Sequence, residues 1–488
     1  MDTRRLVGLF LGPLLFLLVL LLPQPEGMNP AAQNVAAVTL LMATWWISEA
    51  IPIAATALLP IVFFPLLGVM STAQTTSAYA NHLIYLFLGG FLIAMAMQKW
   101  NLHRRIALHT IRIVGVSPSR TVLGFMLATA FLSMWISNTA TAMMMLPIGL
   151  AVIASRDENE SPDKAFAVAL MLGIAYAASI GGVATLIGTP TNAVFAGVVE
   201  KTYGISISLA QWMLIGAPVA VCMLVLAWLL LTRVLYRSEL DYLPGGRQAI
   251  QREIAQLGRI TRPEIAVLSV FLLVAALWML RGLVPVAGLQ RVADSTIAIG
   301  GALLLFVIPA DWKRREFLLD WQTALTIPWD ILILFGGGFA LAGGFAQSGL
   351  TDYLAGKLDI LHGAGMVLII ACVAALVTFL TELTSNTATA SIILPVMAAL
   401  AEAMHVHPLG MMVAATIAAS YAFMLPVATP PNAIVFGSRY VTIQQMMKTG
   451  IWLNLIGILL ITATVTLLLP LVWGIDIRSL PAGFAPGH

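Results

Sequence analysis

Two stretches of the sequence place hydroxyl and amide side chains in the middle of apolar runs. Residues 131–148 read FLSMWISNTATAMMMLPI and residues 379–396 read FLTELTSNTATASIILPV, with ten of the eighteen positions identical. Ser, Asn and Thr side chains compete for backbone hydrogen bonds and favour turns and caps over helix interiors. Each copy therefore predicts a break, followed by a helix whose N-terminus carries about half a positive charge. Two such N-termini facing each other could bind an anion without arginine or lysine.

A second pair of motifs indicates two further breaks. Residues 188–197 read GTPTNAVFAG and residues 428–437 read ATPPNAIVFG, each late in a long apolar run. Pro190 and Pro430 lack a backbone donor, so they are expected to free carbonyl groups around Gly188 and Ala428. Free carbonyls together with Ser and Asn oxygens are hard ligands that suit sodium.

The spacing of the polar residues predicts two sodium sites, one for each copy. Ser133 and Thr381 each lie four residues before the Ser of SNTATA, so each can share a helix face with it. The first site is expected at Ser133, Ser137, Asn138 and Gly188, and the second at Thr381, Thr384, Asn386 and Ala428.

The composition is that of a polytopic membrane protein. Of the 488 residues, 60% are hydrophobic and 10% are charged, and the mean hydropathy is +0.95. Soluble domains carry about 25% charged residues, so most of this surface must face lipid. The two cysteines, Cys222 and Cys372, lie in apolar runs and are expected in the core.

Apolar runs of about 20 residues predict eleven membrane crossings. They cover residues 6–22, 31–47, 51–69, 83–98, 166–199, 211–232, 264–285, 293–309, 331–347, 409–437 and 450–473. The two SNTATA stretches, about 121–153 and 364–400, are then expected to be re-entrant hairpins. This arrangement places 20 of the 25 lysines and arginines on the inner side, as the positive-inside rule requires. The N-terminus is then inside and the C-terminus outside, in the cytoplasmic (inner) membrane.

The repeated motifs divide the chain into two halves. LFLGGFLIA at 86–94 resembles LFGGGFALA at 334–342. As with the hairpin motifs, one copy lies in each half of the chain. Five spans separate the hairpins, an odd number, so the two halves are expected to be inverted in the membrane, as in secondary transporters. The expected organisation is a first half at 1–236, a polar cytoplasmic connector at 237–263 and a second half at 264–488.

These paired motifs, with WWISEAIPIAATALLPIVFFPLLG at 45–68, resemble the divalent anion/sodium symporters, also called INDY-type di- and tricarboxylate transporters. The resemblance implies an all-α homodimer in which each protomer has a scaffold domain and an elevator-type transport domain. It implies sodium-coupled transport of a divalent anion, and the two helix N-termini, one for each carboxylate, favour a C4-dicarboxylate such as succinate, malate or fumarate. It also implies carboxylate contacts by Asn138, Thr139, Ser385, Asn386 and Thr387, with Thr189, Thr429 and Pro430 nearby. Citrate or sulfate as the substrate, and exchange rather than symport, remain open.

Other classes of function are disfavoured by what the sequence contains. Ser, Thr and Asn runs can simply hold membrane helices together, but two inverted copies, each partnered with a T-P-x-N break, favour a site. An enzyme needs a nucleophile with a base or a metal cluster, and an anion channel needs a filter sequence. The sequence shows none of these patterns. We expect a non-enzymatic transporter with no organic cofactor and no nucleic-acid partner. Three roles stay open for Glu382 in the second hairpin: a structural role, a contribution to a cation site, and a role as proton acceptor.

Overall fold

The computed structural model is almost entirely α-helical. It describes residues 3–115, 117–154, 163–240, 245–284, 291–358 and 365–481. Among these residues, strand structure is limited to an antiparallel pair, β1 (Pro309–Asp311) and β2 (Glu316–Phe317). Residue 364, where the second hairpin is expected to begin, and residues 241–244 of the expected connector lie outside the described ranges.

The helices of the first half include two that flank the SNTATA break and two that flank the T-P-x-N break. In chain order they are α1 (Thr3–Leu21), α2 (Pro30–Ser48), α3 (Ile53–Thr56), α4 (Leu59–Leu66), α5 (Thr72–Ser77), α6 (His82–Lys99), α7 (Leu102–Val114), α8 (Pro118–Ser133), α9 (Asn138–Ala154), α10 (Lys164–Gly182), α11 (Pro190–Tyr203) and α12 (Leu209–Leu229).

The connector and the second half follow. They contain α13 (Gly246–Leu257), α14 (Arg262–Leu283), α15 (Asp294–Val307), α16 (Trp321–Ala324), α17 (Trp329–Ser348), α18 (Leu350–Leu358), α19 (Met366–Thr381), α20 (Asn386–Ala403), α21 (Pro408–Ser420), α22 (Pro430–Gly437), α23 (Ile443–Ala463) and α24 (Leu469–Trp473).

Eight helices in the described ranges are long and apolar enough to cross a membrane. Three of the apolar runs expected as crossings are broken into two helices each. Run 166–199 becomes α10 and α11, and run 409–437 becomes α21 and α22. Run 51–69 becomes the short helices α3 and α4, with Pro60 in the first turn of α4, where proline is tolerated but does not continue a preceding helix. The count of eleven crossings therefore stays a prediction.

The order of elements from α6 to α12 is repeated from α17 to α23. Both α12 and α23 begin with a capping box, formed by Ser208 with Gln211 and by Thr442 with Gln445. Both also continue into a π-helical turn, at Leu230–Leu235 and Thr464–Leu468. These shared details extend the sequence repeat well beyond the SNTATA motif.

The two halves exchange their broken helices. Helix α8 packs on α10 and α19 packs on α21 within each half, but α11 packs against α20 and α22 packs against α9. The second piece of each broken helix therefore contacts the hairpin of the other half. Helices α10 and α21 are buried almost throughout, so this exchanged core lies at the centre of the protein.

The connector helix α13 docks on the N-terminal half. Its Ala249 and Ile250 are buried, and it contacts α7 and α9. Arg104 pairs with Glu253, and Arg105 Nε lies 2.7 Å from Glu264 Oε1. Arg105 also donates to the Leu257 and Gly258 carbonyls at the end of α13, so it fixes this helix against α7.

The prediction that both cysteines lie in the core is wrong. Cys222 on α12 and Cys372 on α19 are exposed. In a protein whose outer surface is this apolar, a hydrophobic run does not distinguish a core position from a lipid-facing one, so sequence could not separate the two.

Candidate functional site

One cavity of about 540 Å³ collects the residues expected to contact the substrate. Its size lies within the range of ordinary small-molecule sites. Apolar side chains, among them Phe87, Phe91 and Leu334, form part of its wall. All eight expected substrate contacts line it: Asn138, Thr139, Thr189, Ser385, Asn386, Thr387, Thr429 and Pro430. The break between α8 and α9 and the break between α19 and α20, here called the two hairpin tips, therefore face one space.

The first hairpin tip forms an oxygen-rich cluster with the end of α10. Ser133 Oγ donates to the Ala178 carbonyl at 2.7 Å and lies 2.5 Å from the side-chain amide of Asn138. The same amide atom of Asn138 lies 3.1 Å from the Ala178 carbonyl and 3.3 Å from the Gly188 carbonyl. With the amide nitrogen on this side, Asn138 donates to all three oxygens. With the amide oxygen there, four oxygens converge, which is a ligand set for a hard cation.

Two glycines allow this crowding of backbone and side-chain oxygens. A Cβ atom on Gly182 would lie 2.7 Å from Asn138 Oδ1, and one on Gly188 would lie 2.4 Å from the Gly182 carbonyl oxygen. Neither approach is possible for a residue with a side chain. The expected first cation residues Ser133, Asn138 and Gly188 are thus in one cluster, while Ser137 Oγ instead accepts from the Ala140 N–H at 3.3 Å.

The second hairpin tip repeats this geometry with different residues. Thr381 Oγ1 lies 2.8 Å from Asn386 Oδ1 and 3.0 Å from the Ala419 carbonyl. Thr384 Oγ1 bonds Thr389 Oγ1 at 2.5 Å and also the Leu380 carbonyl, so its hydroxyl is engaged within the hairpin. Ala428 lines the cavity. Sequence reasoning missed the carbonyls of Ala178 and Ala419, because a backbone oxygen leaves no trace in residue type.

Two further asparagines hold the broken helices in place. Asn192 Nδ2 donates to the Thr185 carbonyl at 2.8 Å and to the Val183 carbonyl at 3.2 Å. Asn432 Nδ2 donates to the Leu425 carbonyl at 3.0 Å and the Ala422 carbonyl at 3.1 Å. Both asparagines are fully buried. The Asn at the same place in both T-P-x-N motifs was the signal for this role.

Helices α11 and α22, in addition to α9 and α20, begin at the cavity wall. Pro190 and Pro430 are the first residues of α11 and α22, a position that proline favours because its missing N–H is not needed there. The breaks therefore precede the prolines and add two helix N-termini to those of α9 and α20. Thr429 caps α22 through its side chain, whereas Thr189 and Ser385 make no side-chain cap, which leaves first-turn N–H groups of α11 and α20 open to an anion.

Comparison with known proteins identifies the family. The sequence profile described as the sodium:sulfate symporter transmembrane region matches residues 3–475. The chain belongs to the divalent anion/sodium symporters. The sodium-dependent dicarboxylate transporter SdcS of Staphylococcus saprophyticus is 46% identical over 98% of this chain and 94% of its own length. SdcS of Staphylococcus aureus strain MRSA252 is 47% identical over the same shares.

Solved structures support the fold of this symporter. The YdaH transporter of Alcanivorax borkumensis aligns with a TM-score of 0.60 at 14% identity, covering 97% of this chain and 99% of that one. MtrF of Neisseria gonorrhoeae aligns with a TM-score of 0.57 at 13% identity, covering 94% of each chain. The relatives and the fold are those of a membrane transporter, not of an enzyme.

Glu382 of the symporter is engaged in holding the second broken helix. Its carboxylate accepts from the backbone N–H groups of Phe423 at 2.7 Å, Met424 at 2.9 Å and Leu425 at 3.2 Å. Asn454 Nδ2 on α23 donates to the same carboxylate at 2.8 Å. Four donors on one buried carboxylate favour the structural role among the three left open by the sequence.

Charged residues from three distant segments line the same cavity in the symporter. They are Arg4, Glu49 and Asp330. Arg4 donates to the Leu383 carbonyl of the second hairpin tip at 2.7 Å and also to the Ile47 carbonyl. Arg5 pairs with Glu49 at 3.3 Å. No sequence pattern indicates this contact, because Arg4 and Leu383 are 379 residues apart.

Proposed function

We propose that this chain is a secondary active transporter that carries a C4-dicarboxylate such as succinate, malate or fumarate together with sodium ions. The observation that carries the proposal is the single cavity lined by both hairpin tips, each presenting a Ser, an Asn and a Thr beside a helix N-terminus. The relatives named as sodium-dependent dicarboxylate transporters support the same substrate and the same ion.

The two hairpin tips favour a substrate with two carboxylates. Each tip offers hydroxyl, amide and backbone donors to one anionic group, whereas a monocarboxylate leaves one set of donors without a partner. The SNT residues of the tips offer no cationic partner to a third carboxylate, as in citrate, although Arg4 lines the same cavity. A dianion at this depth requires compensating charge, which bound sodium supplies.

The two oxygen clusters are proposed as the sodium sites. The first is proposed at Ser133, Asn138, Gly188 and the Ala178 carbonyl, with Ser137 adjacent. The second is proposed at Thr381, Asn386 and the Ala419 carbonyl, with Thr384 and Ala428 adjacent. These ligands are neutral oxygens, so binding of sodium requires no proton to leave. Sodium is thus the coupling ion and travels with the substrate.

We further propose an elevator mechanism in a homodimer of the cytoplasmic membrane. The moving unit comprises α8–α11 and α19–α22, which share the exchanged core, and the remaining long helices form the scaffold. With the N-terminus inside, the cavity residues Arg4 and Glu49 lie at cytoplasmic ends of α1 and α2. The cavity then opens to the cytoplasm, as expected for release of an imported substrate.

Competition for uptake tests the substrate. Liposomes that contain the purified protein take up labelled succinate under an inward sodium gradient. Unlabelled succinate, malate and fumarate should block uptake at concentrations where acetate and lactate do not. Sulfate that competes where succinate does not would refute the two-carboxylate site. Counterflow of labelled succinate distinguishes this carrier from an anion channel, which shows none.

A further inference from the structure

A second cavity, of about 220 Å³, lies away from the substrate site. Its walls come from the start of α8, the start of α10 and the residues that follow α12. Pro118, Val122, Phe166 and Leu240 give it an apolar side. The lining also includes two arginines, Arg233, in the π-helical turn after α12, and Arg237. It shares no residue with the substrate cavity.

Arg233 and Arg237 are both exposed and are four residues apart. In the part of the chain that the structure describes, neither has an ion-pair partner. Two guanidinium groups brought to one cavity repel each other unless an anion lies between them, and guanidinium matches phosphate geometry especially well. The described residues that line the cavity include no Asp or Glu, so the cavity has the charge of an anion site.

The start of α8, which also lines the cavity, adds hydrogen-bond donors. Ser117 occupies the cap position of α8 but makes no side-chain capping bond, so N–H groups of the first turn are open. The hydroxyl of Ser119 is shielded from solvent and has no hydrogen-bond partner among the described residues. Trp228 Nε1 donates to the Ser119 carbonyl at 2.9 Å, which fixes this turn against α12.

The carboxylate at the edge of this cavity is already engaged. Asp163 accepts from the N–H groups of Ala165 and Phe166 and from Ser238 Oγ at 2.5 Å. Its charge is therefore directed at the N-terminus of α10. Glu239 is exposed and is not among the cavity residues.

We propose that this cavity binds a phosphate group, held by Arg233, Arg237 and the start of α8. A phospholipid headgroup and free phosphate share this chemistry. The apolar wall and the position at the inner ends of α8 and α12 suit an anionic phospholipid, whose acyl chains continue along the protein surface. Such a headgroup joins the first hairpin to α12, and the proposal does not depend on the transported substrate.

Native mass spectrometry of the full-length protein in a neutral detergent tests the proposal. The probes are phosphatidylglycerol, diacylglycerol (which lacks the phosphate) and inorganic phosphate. The double variant Arg233→Gln/Arg237→Gln should lose about tenfold or more in affinity for phosphatidylglycerol. The control Arg259→Gln/Arg262→Gln removes two other exposed arginines of the same region and should change affinity less than about twofold. Binding of inorganic phosphate with the same dependence on Arg233 and Arg237 would identify free phosphate as the source.

Three results would overturn the proposal. The first is that the double variant binds phosphatidylglycerol as tightly as the wild type does. The second is that the wild type binds diacylglycerol as tightly as phosphatidylglycerol. The third is that the control variant loses as much affinity as the double variant, which would mean general attraction to a positive surface. Because the described part of the fold shows no ion pair of Arg233 or Arg237, the double variant should keep the wild-type melting temperature in the absence of lipid. Ser119→Ala, a smaller change, should weaken binding in the same direction.

Discussion

Asn138 and Asn386 each serve two ligands in this account. Each side chain lies at the start of a helix that faces the substrate cavity and also contacts the hydroxyl of an oxygen cluster, Ser133 or Thr381. Asn138→Ala and Asn386→Ala should therefore each lower succinate uptake by about tenfold or more, since each removes hydrogen bonds to charged partners.

The control for these variants is Asn34→Ala. Asn34 lies on α2 and donates to the Leu67 carbonyl, away from the cavity. All three variants should remain folded, as judged by size-exclusion chromatography and melting temperature. Uptake above about a third of wild type in either Asn138→Ala or Asn386→Ala contradicts a site formed by both tips.

A substitution of Glu382 distinguishes a role in stability from a role in ion coupling. Glutamine at this position turns an NH₂ group toward donors that now meet a carboxylate, so Glu382→Gln should lower the melting temperature by several degrees. The residual uptake should keep its sodium dependence and its pH profile. Glu26→Gln, in the exposed loop after α1, is the matched control. An unchanged melting temperature with an altered pH profile would make Glu382 a proton carrier instead.

The residues of the site divide into those that sequence could predict and those that it could not. Ser, Asn and Thr inside an apolar run are costly unless they bind something, so SNTATA indicated a site directly. The Ala178 and Ala419 carbonyls, and the contact of Arg4 with Leu383, depend on which distant segments the fold brings together. The type of a residue does not indicate which distant residues it contacts.

At the scale of elements, the hairpins and broken helices follow from local chemistry, but their pairing does not. Proline at the first helical position and SNT before a helix both mark helix starts, and the structure begins helices at all four places. The packing of α11 on α20 and of α22 on α9 joins the two halves into one unit. Local sequence does not predict which of these helices pack against each other.

This exchanged unit should move as one body relative to the scaffold. With Cys222 and Cys372 replaced, Val427→Cys places a thiol at an exposed cavity position before α22. A membrane-impermeant thiol reagent applied from the cytoplasmic side should label it, and external sodium with succinate should change the labelling rate. Lys313→Cys, in the loop between β1 and β2, is a control whose labelling stays constant. Constant labelling of Val427→Cys in all conditions would indicate a fixed pore.

At the scale of the whole molecule, an apolar surface encloses a small polar centre. Large hydrophobic side chains such as Leu21 and Leu471 are more than four-fifths exposed, while Thr381 and Asn432 are fully buried. Such exposed apolar side chains, in addition to an apolar core, fit a chain surrounded by lipid. Composition predicted this class from the sequence alone, because so few charged residues cannot cover a surface of this size.

The central claim is that neutral oxygens at two sites couple transport to sodium. It is tested most directly by uptake of labelled succinate into liposomes with one imposed gradient at a time: sodium, potassium or protons. We expect accumulation against the succinate gradient with sodium alone and a steep dependence on external sodium, and we expect neither with potassium or protons. Full accumulation driven by a proton gradient in the absence of sodium would contradict it.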